Sequence, residues 1–144
     1  MKYLLLISHG DFSNGLKQTL SMFAGDATNT VISIGLKPDE AIDTLDKRID
    51  TTMKPIPENS QFVILADIIG GSPLTTVCNV LNRQKKFNDS IIIGGMNFPM
   101  ALTAMMFKDS LDNIELKSKL LSEATKAIRP LDMNGILKPS DEDI

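Results

Sequence analysis

One cysteine and one histidine are all that the 144-residue chain holds of either. The lone Cys78 permits no internal disulfide, which suits a reducing compartment. One His and one Cys cannot build a zinc site of the usual kind, so no metal and no cofactor are expected. Positive charge is not in excess. Fifteen Lys and Arg stand against 18 Asp and Glu, a net charge of -3 with no basic stripe, so nucleic acid is not an expected partner. No stretch approaches the ~18 consecutive apolar residues of a membrane span. The apolar run after Lys2 lacks the longer core and cleavage site of a signal peptide. The chain is therefore expected in the cytoplasm, reaching a membrane only through other proteins. Three motifs are also missing. Without G-x-x-x-x-G-K-[ST] there is no P-loop, without G-x-G-x-x-G no dinucleotide fingerprint, and without G-x-S-x-G no nucleophile elbow.

The composition that remains, 42% hydrophobic and 23% charged, is ordinary globular composition at a length that suits one domain. Apolar runs and helical stripes alternate along it. Leu4-Leu5-Leu6-Ile7 reads as a strand over residues 2–8, buried on both faces. A helix follows over 12–23, with Leu16, Leu20 and Phe23 on one face, stopped by Gly25. A strand is expected over 30–34. A second helix is expected to start near Pro38, with Asp39 and Glu40 at its N-terminus and Ile42, Leu45 and Ile49 as its buried stripe. Residues 55–60 read as a loop. A third strand over 62–66 ends on Asp67. Ser72 then reads as the N-cap of a helix running from Pro73 to about Gln84. Cys78 lies among that helix's apolar residues and reads as a small core residue.

A fourth strand over 90–93 ends in Gly94-Gly95, and helices follow over 99–107 and 111–128. The second of these carries Leu116, Leu120, Ala124 and Ile128 on one stripe. Met96, Met100, Met105 and Met106 suit a core or a subunit interface. Residues 131–138 could make a short last strand, and the acidic tail to Ile144 is expected to be mobile. Domain organisation is thus one domain over 1–130 and a short C-terminal segment over 131–144. The alternation predicts a doubly wound α/β fold, a mainly parallel sheet of order 2-1-3-4 with helices on both faces and room for an antiparallel fifth strand.

In that order the first and third strands are neighbours at the point where the winding reverses. Ligand sites of open α/β sheets lie there, outside the carboxyl ends of the strands. The only histidine, His9, ends the first strand beside Gly10, and Asp67 ends the third. A carboxylate on one ring nitrogen would fix the tautomer and leave the other nitrogen free to attack. Gly70, Gly71 and Ser72 let backbone N–H groups approach an anion at a helix start, though the same run also suits a plain turn and cap. A nucleophilic His, an orienting Asp and an anion cradle point to phosphoryl transfer onto histidine. A serine hydrolase built from Ser8, Ser13 or Ser72 lacks a recognisable nucleophile turn.

Three motifs then carry a resemblance: Ile7-Ser8-His9-Gly10, Ala66-Asp67-Ile68-Ile69-Gly70-Gly71-Ser72-Pro73 and Gly94-Gly95-Met96-Asn97-Phe98-Pro99-Met100. Together they resemble the mannose-type IIA component (mannose/fructose/sorbose family) of the bacterial phosphoenolpyruvate-dependent sugar phosphotransferase system, over about residues 1–128. The resemblance implies that His9 takes a phosphoryl group from the phosphohistidine carrier protein and passes it to a IIB component. It implies that Asp67 bonds the δ nitrogen, so that the ε nitrogen is phosphorylated. Gly10, Gly70, Gly71 and Ser72 would line the phosphate. It also implies a homodimer with an exchanged C-terminal strand, and an indirect association with a membrane sugar permease. Ile69 stands where some members carry an aromatic residue, and the chain ends too soon after the domain for a fused IIB domain. Two other readings share the residues: the phosphoryl-donor subunit of a dihydroxyacetone kinase, and a non-catalytic regulatory α/β domain.

Overall fold

Leu4, Leu5, Leu6 and Ile7 are each fully buried in the middle of β1 (Lys2–His9). Successive side chains of a strand point to opposite faces. Leu4 and Leu6 accordingly join one core cluster, and Leu5 and Ile7 join another. Each such burial contributes roughly 1.5–3 kcal/mol relative to exposure. A strand that must satisfy two cores at once has to lie at the centre of the sheet. The computed structural model describes residues 1–135 and places it there.

The remaining elements are α1 (Phe12–Ser21), a 3₁₀ stretch (Gly25–Thr30), β2 (Val31–Leu36), α2 (Ile42–Met53), β3 (Gln61–Ala66), α3 (Ser72–Arg83), β4 (Ile91–Ile93), α4 (Phe98–Phe107) and α5 (Asn113–Lys126). The four strands form one sheet of order β2-β1-β3-β4, every pair parallel. Leu16 and Leu20 of α1 pack on one face with α4 and α5. Leu45, Ile49 and Met53 of α2 pack on the other with Val77, Val80 and Leu81 of α3. The doubly wound order and the two helical layers are as the strand pattern predicts. Cys78 lies half-buried against the second face, where burial pushes its thiol pKa up.

Several local expectations need correction. The second helix begins at Ile42, not near Pro38. Proline itself suits a first helical position, but Asp39 takes a left-handed turn conformation at φ 61°, which breaks a right-handed helix there. Glu40 is drawn out of any helix-start role. It accepts the Lys37 N–H at 3.0 Å and two hydrogen bonds from Arg48 at 3.1 and 2.9 Å. Ile42 is exposed, so the buried stripe is Leu45, Ile49 and Met53. Gly25 does not simply end α1; it opens the 3₁₀ stretch. Ile128 lies beyond α5 and is exposed. Of the methionine cluster, Met96, Met100 and Met105 are core and Met106 is exposed. Of the expected last strand, Met133–Gly135 is a 3₁₀ turn, and residues 136–144 lie outside the described residues.

The amino end of the sheet, opposite His9, is closed by a lysine. Lys86 is buried and donates to the Met53 and Lys54 carbonyls at the end of α2, at 2.6 and 3.3 Å, and to Gln84 Oε1 at 2.8 Å. A cation suits the negative end of a helix. Desolvation lowers the Lys86 pKa from its ordinary value.

Candidate active site

His9 is the last residue of β1, and Asp67 follows the last residue of β3. The parallel register pairs Ile7 with Ala66, so the two residues emerge side by side at the carboxyl end of the sheet. The Asp67 N–H donates to the Ile7 carbonyl at 3.0 Å, which carries the strand pairing one residue further. Asp67 Oδ2 lies 2.9 Å from the His9 backbone N and 2.9 Å from ring Nδ1. The other carboxylate oxygen accepts the Ile68 N–H at 2.8 Å. Burial pushes the Asp67 pKa up, but the hydrogen bonds from the His9 backbone, the His9 ring and Ile68 outweigh it and hold the carboxyl below its usual range. An ionised carboxylate only accepts, so Nδ1 carries the ring proton. With that proton on Nδ1, a free lone pair can lie only on Nε2, on a side chain 48% exposed.

The glycines and Ser72 divide into two groups. Gly71 occupies the N-cap position of α3 and faces the ring; a β-carbon added there would lie 3.0 Å from His9 Cε1. The ring carbon between the two nitrogens thus faces the start of a helix. First-turn N–H groups have no intrahelical acceptor. Those of Ser72 and Leu74 belong to that turn, whereas Pro73 has no N–H. Gly70, at φ 81°, makes the turn that returns the chain from Asp67 to α3. Ser72 is exposed and is the first helical residue; its hydroxyl makes no cap bond, contrary to the expected N-cap role. Gly10 is close by, but its N–H donates to the Leu36 carbonyl at 2.7 Å and is not free for an anion. Its φ of 59° makes the turn out of β1.

The third sequence motif supports the pair from below. The Gly95 N–H donates to the Asp67 carbonyl at 3.1 Å, and the Met96 N–H to the Ala66 carbonyl at 3.0 Å. A β-carbon at Gly94 would overlap the Ile69 side chain. Asn97 caps α4 by accepting the Met100 N–H at 3.0 Å, and its amide donates to the Ala124 carbonyl of α5 at 3.0 Å. Three apolar side chains stand exposed near the pair: Phe12 at the start of α1, and Ile68 and Ile69 on the loop after Asp67.

Two serines, Ser8 and Ser13, read in the sequence only as candidate nucleophiles. Ser8 and Ser13 are completely buried, which removes them from that role. Their hydroxyls are instead bonded to each other at 2.9 Å. The available signal was their position, one small hydroxyl on either side of the His9 turn. Among the described residues, no group of three or more His, Cys, Asp or Glu side chains could hold a metal ion. Nor is any helix among them long and apolar enough to cross a membrane.

The family model described as PTS system fructose IIA component matches residues 3–121. The fructose-specific EIIA component of the PTS system of Bacillus subtilis (strain 168) is 27% identical over 122 residues, 81% of each chain. Among solved structures, the PTS IIA protein associated with the fucose utilization operon of Streptococcus pneumoniae is 27% identical. It superposes with a TM-score of 0.71 over 95% of this chain and 96% of its own. The mannose/sorbose-specific IIA subunit of Enterococcus faecalis shares the fold at 20% identity, with a TM-score of 0.73 over 92% of this chain and 97% of its own. The match across most of the domain, with the same architecture, makes the chain a member of the mannose-type IIA family, the IIA phosphoryl carriers of sugar phosphotransferase systems.

Proposed function

We propose that His9 Nε2 accepts a phosphoryl group from the phosphohistidine carrier protein and hands it to a IIB component during sugar uptake, in the cytoplasm. The observation that carries this reading is the 2.9 Å approach of Asp67 Oδ2 to His9 Nδ1, which leaves Nε2 of a half-exposed side chain unengaged by the carboxylate, with the ring edge beside the start of α3. In the forward step the Nε2 lone pair attacks phosphorus in line. The N–P bond of the donor breaks as the new one forms, and the donor imidazole leaves with its electron pair. Positive charge grows on the His9 ring and is stabilised by the Asp67 carboxylate through the Nδ1–H. The proton stays on Nδ1, so no separate base is required. Such transfers spread charge over three oxygens and depend on positioning and electrostatics. The α3 N-terminus supplies the positive end of a helix dipole and the backbone donors of its first turn. Transfer to IIB reverses the same displacement on a second protein.

Phe12, Ile68 and Ile69 surround the exchange point with apolar surface that a docking protein would cover. The relatives are named for different sugars, which fits a carrier that hands on phosphate without binding the sugar. The reading includes a homodimer and an indirect association with the membrane permease. The outer edge of β4 has no strand partner among the described residues. Beside it runs a groove of about 480 Å³ lined by Ile91, Ile92, Asn113 and Ile114, where a segment of a second copy would fit.

The test is incubation with phosphoenolpyruvate, enzyme I and the carrier protein. The expected result is a mass gain of one phosphoryl group that is acid-labile and alkali-stable, and absent in His9→Ala. A His9→Ala protein that still gains the group would overturn the assignment.

A further inference from the structure

The residue at the N-cap position of α1, Asp11, makes no side-chain cap bond. A side-chain acceptor for the N–H two residues into the helix is normally supplied by the N-cap itself. Here it comes from the strand: the Ser13 N–H donates to Ser8 Oγ at 2.8 Å. Ser8 Oγ donates in turn to Ser13 Oγ at 2.9 Å, and Ser13 Oγ to the Ile34 carbonyl of β2 at 3.0 Å. Ser8 Oγ also lies 3.4 Å from the Gly10 carbonyl oxygen, a longer alternative for its one proton inside the same turn, and the shorter chain of bonds ends on a backbone acceptor. Both side chains are completely buried. The turn that these two serines close, residues 9–12, begins with His9. Gly35 seals it from the other side; a β-carbon there would overlap the Gly10 carbonyl oxygen.

We infer that Ser8 and Ser13 are positioning residues for His9. They tie both ends of the His9 turn to β1 and β2, so that the ring meets Asp67 in one orientation. The inference rests on the phosphoryl-carrier reading for its effect on rate. Its geometric content does not depend on that reading. Asp67 alone fixes the Nδ1 side of the ring. The backbone from which the ring springs is held by the Gly10 N–H to Leu36 and by this hydroxyl relay. Losing the relay leaves the Ser13 N–H and the start of α1 without their acceptor, and lets the turn shift against a fixed carboxylate. A misplacement on the order of 1 Å at a reacting group can cost about a hundredfold in rate.

The experiment compares Ser8→Ala and Ser8→Thr with the wild type and with Val80→Ala, a core truncation in α3 remote from the turn. Two quantities are read: the NMR signal of the His9 Nδ1–H proton, and the rate of phosphoryl uptake per folded molecule. For Ser8→Ala the expected result is an exchange-broadened or lost Nδ1–H signal and uptake slower by on the order of ten- to a hundredfold. Ser8→Thr keeps the hydroxyl and should recover the signal and most of the rate. Val80→Ala should lower the melting temperature and leave both readings unchanged. If Ser8→Ala merely melts earlier, with signal and rate as in the wild type, the serines are structural and the inference falls. Should Ser8→Ala not fold, Ser13→Ala, which keeps its own N–H bond to Ser8 but cuts both the bond between the two hydroxyls and the link to Ile34, is read the same way. If wild-type protein takes up no phosphoryl group, the carrier reading fails, while the ring signal still decides the positioning role.

Discussion

The α-carbon of Gly71 faces the His9 ring so closely that a β-carbon there would stand 3.0 Å from Cε1 and 3.3 Å from two carbons of Ile68. Glycine at this position is explained by the ring and not by the backbone. The residue sits at φ -78° and ψ 158°, a conformation open to any amino acid.

Gly71→Ala therefore should fold. Alanine is a poorer N-cap than glycine but stiffens the unfolded chain, so the net change in stability should stay within about 1 kcal/mol. The new methyl presses on the ring edge next to Nε2. Phosphoryl uptake should slow by about tenfold or more. Urea unfolding and a quenched mass assay on the same protein check both halves.

Asp67→Asn keeps the shape and removes the charge. Its amide oxygen can still accept from the ring, yet it cannot stabilise a positive imidazole as a carboxylate does. Uptake should fall on the order of a hundredfold or more while the fold persists. An unchanged rate would mean that the carboxylate does not assist the ring.

Glu40 offers a pH test away from the chemistry. Its side-chain hydrogen bond to Arg48, with help from the Lys37 N–H, lowers its pKa from 4.5 to about 2. A depressed carboxyl stabilises the fold fully above its unfolded pKa and loses that contribution as pH falls through the folded value. The wild type should hold a constant lead in melting temperature over Glu40→Gln above about pH 5. The lead should shrink from there towards pH 2. A lead independent of pH would show that the pair adds nothing through its charge.

The homodimer can be tested by removing residues 131–144. The full chain should sediment as a dimer at micromolar concentration, and the truncated chain should dissociate. The β4 edge and the exposed Ile114 beside it are where the contact is expected.

Much of this was readable from the chain alone, for a definite physical reason. Two fully apolar runs, Leu4 to Ile7 and Phe62 to Ala66, are short enough and bounded closely enough to read as central strands, and a doubly wound order puts their ends together. That alone pairs His9 with Asp67. What failed was local grammar overruled by tertiary contacts. Pro38 suggested a helix start, but Arg48 pulls Glu40 into a turn instead. Ser72 has the chemistry of a cap, yet the helix starts one residue earlier than expected, with Gly71 at the N-cap close against the His9 ring. Gly10 belongs to the right loop, but its N–H is spent on Leu36. The Ser8–Ser13 relay needs three elements to converge, and no spacing rule announces that.

His9 and Asp67 lie 58 positions apart in the chain, and what brings them together is the alignment of Ile7 with Ala66 in neighbouring strands. The site is therefore a property of closure, not of any segment. A chain emerging from synthesis displays its histidine long before the carboxylate has been made, and until β3 slots in beside β1 that histidine is an ordinary imidazole with no chosen tautomer. On the phosphoryl-carrier reading, the competence of the ring would double as a report that the sheet is complete, and a half-made or unfolded copy would draw phosphate far more slowly than a finished one.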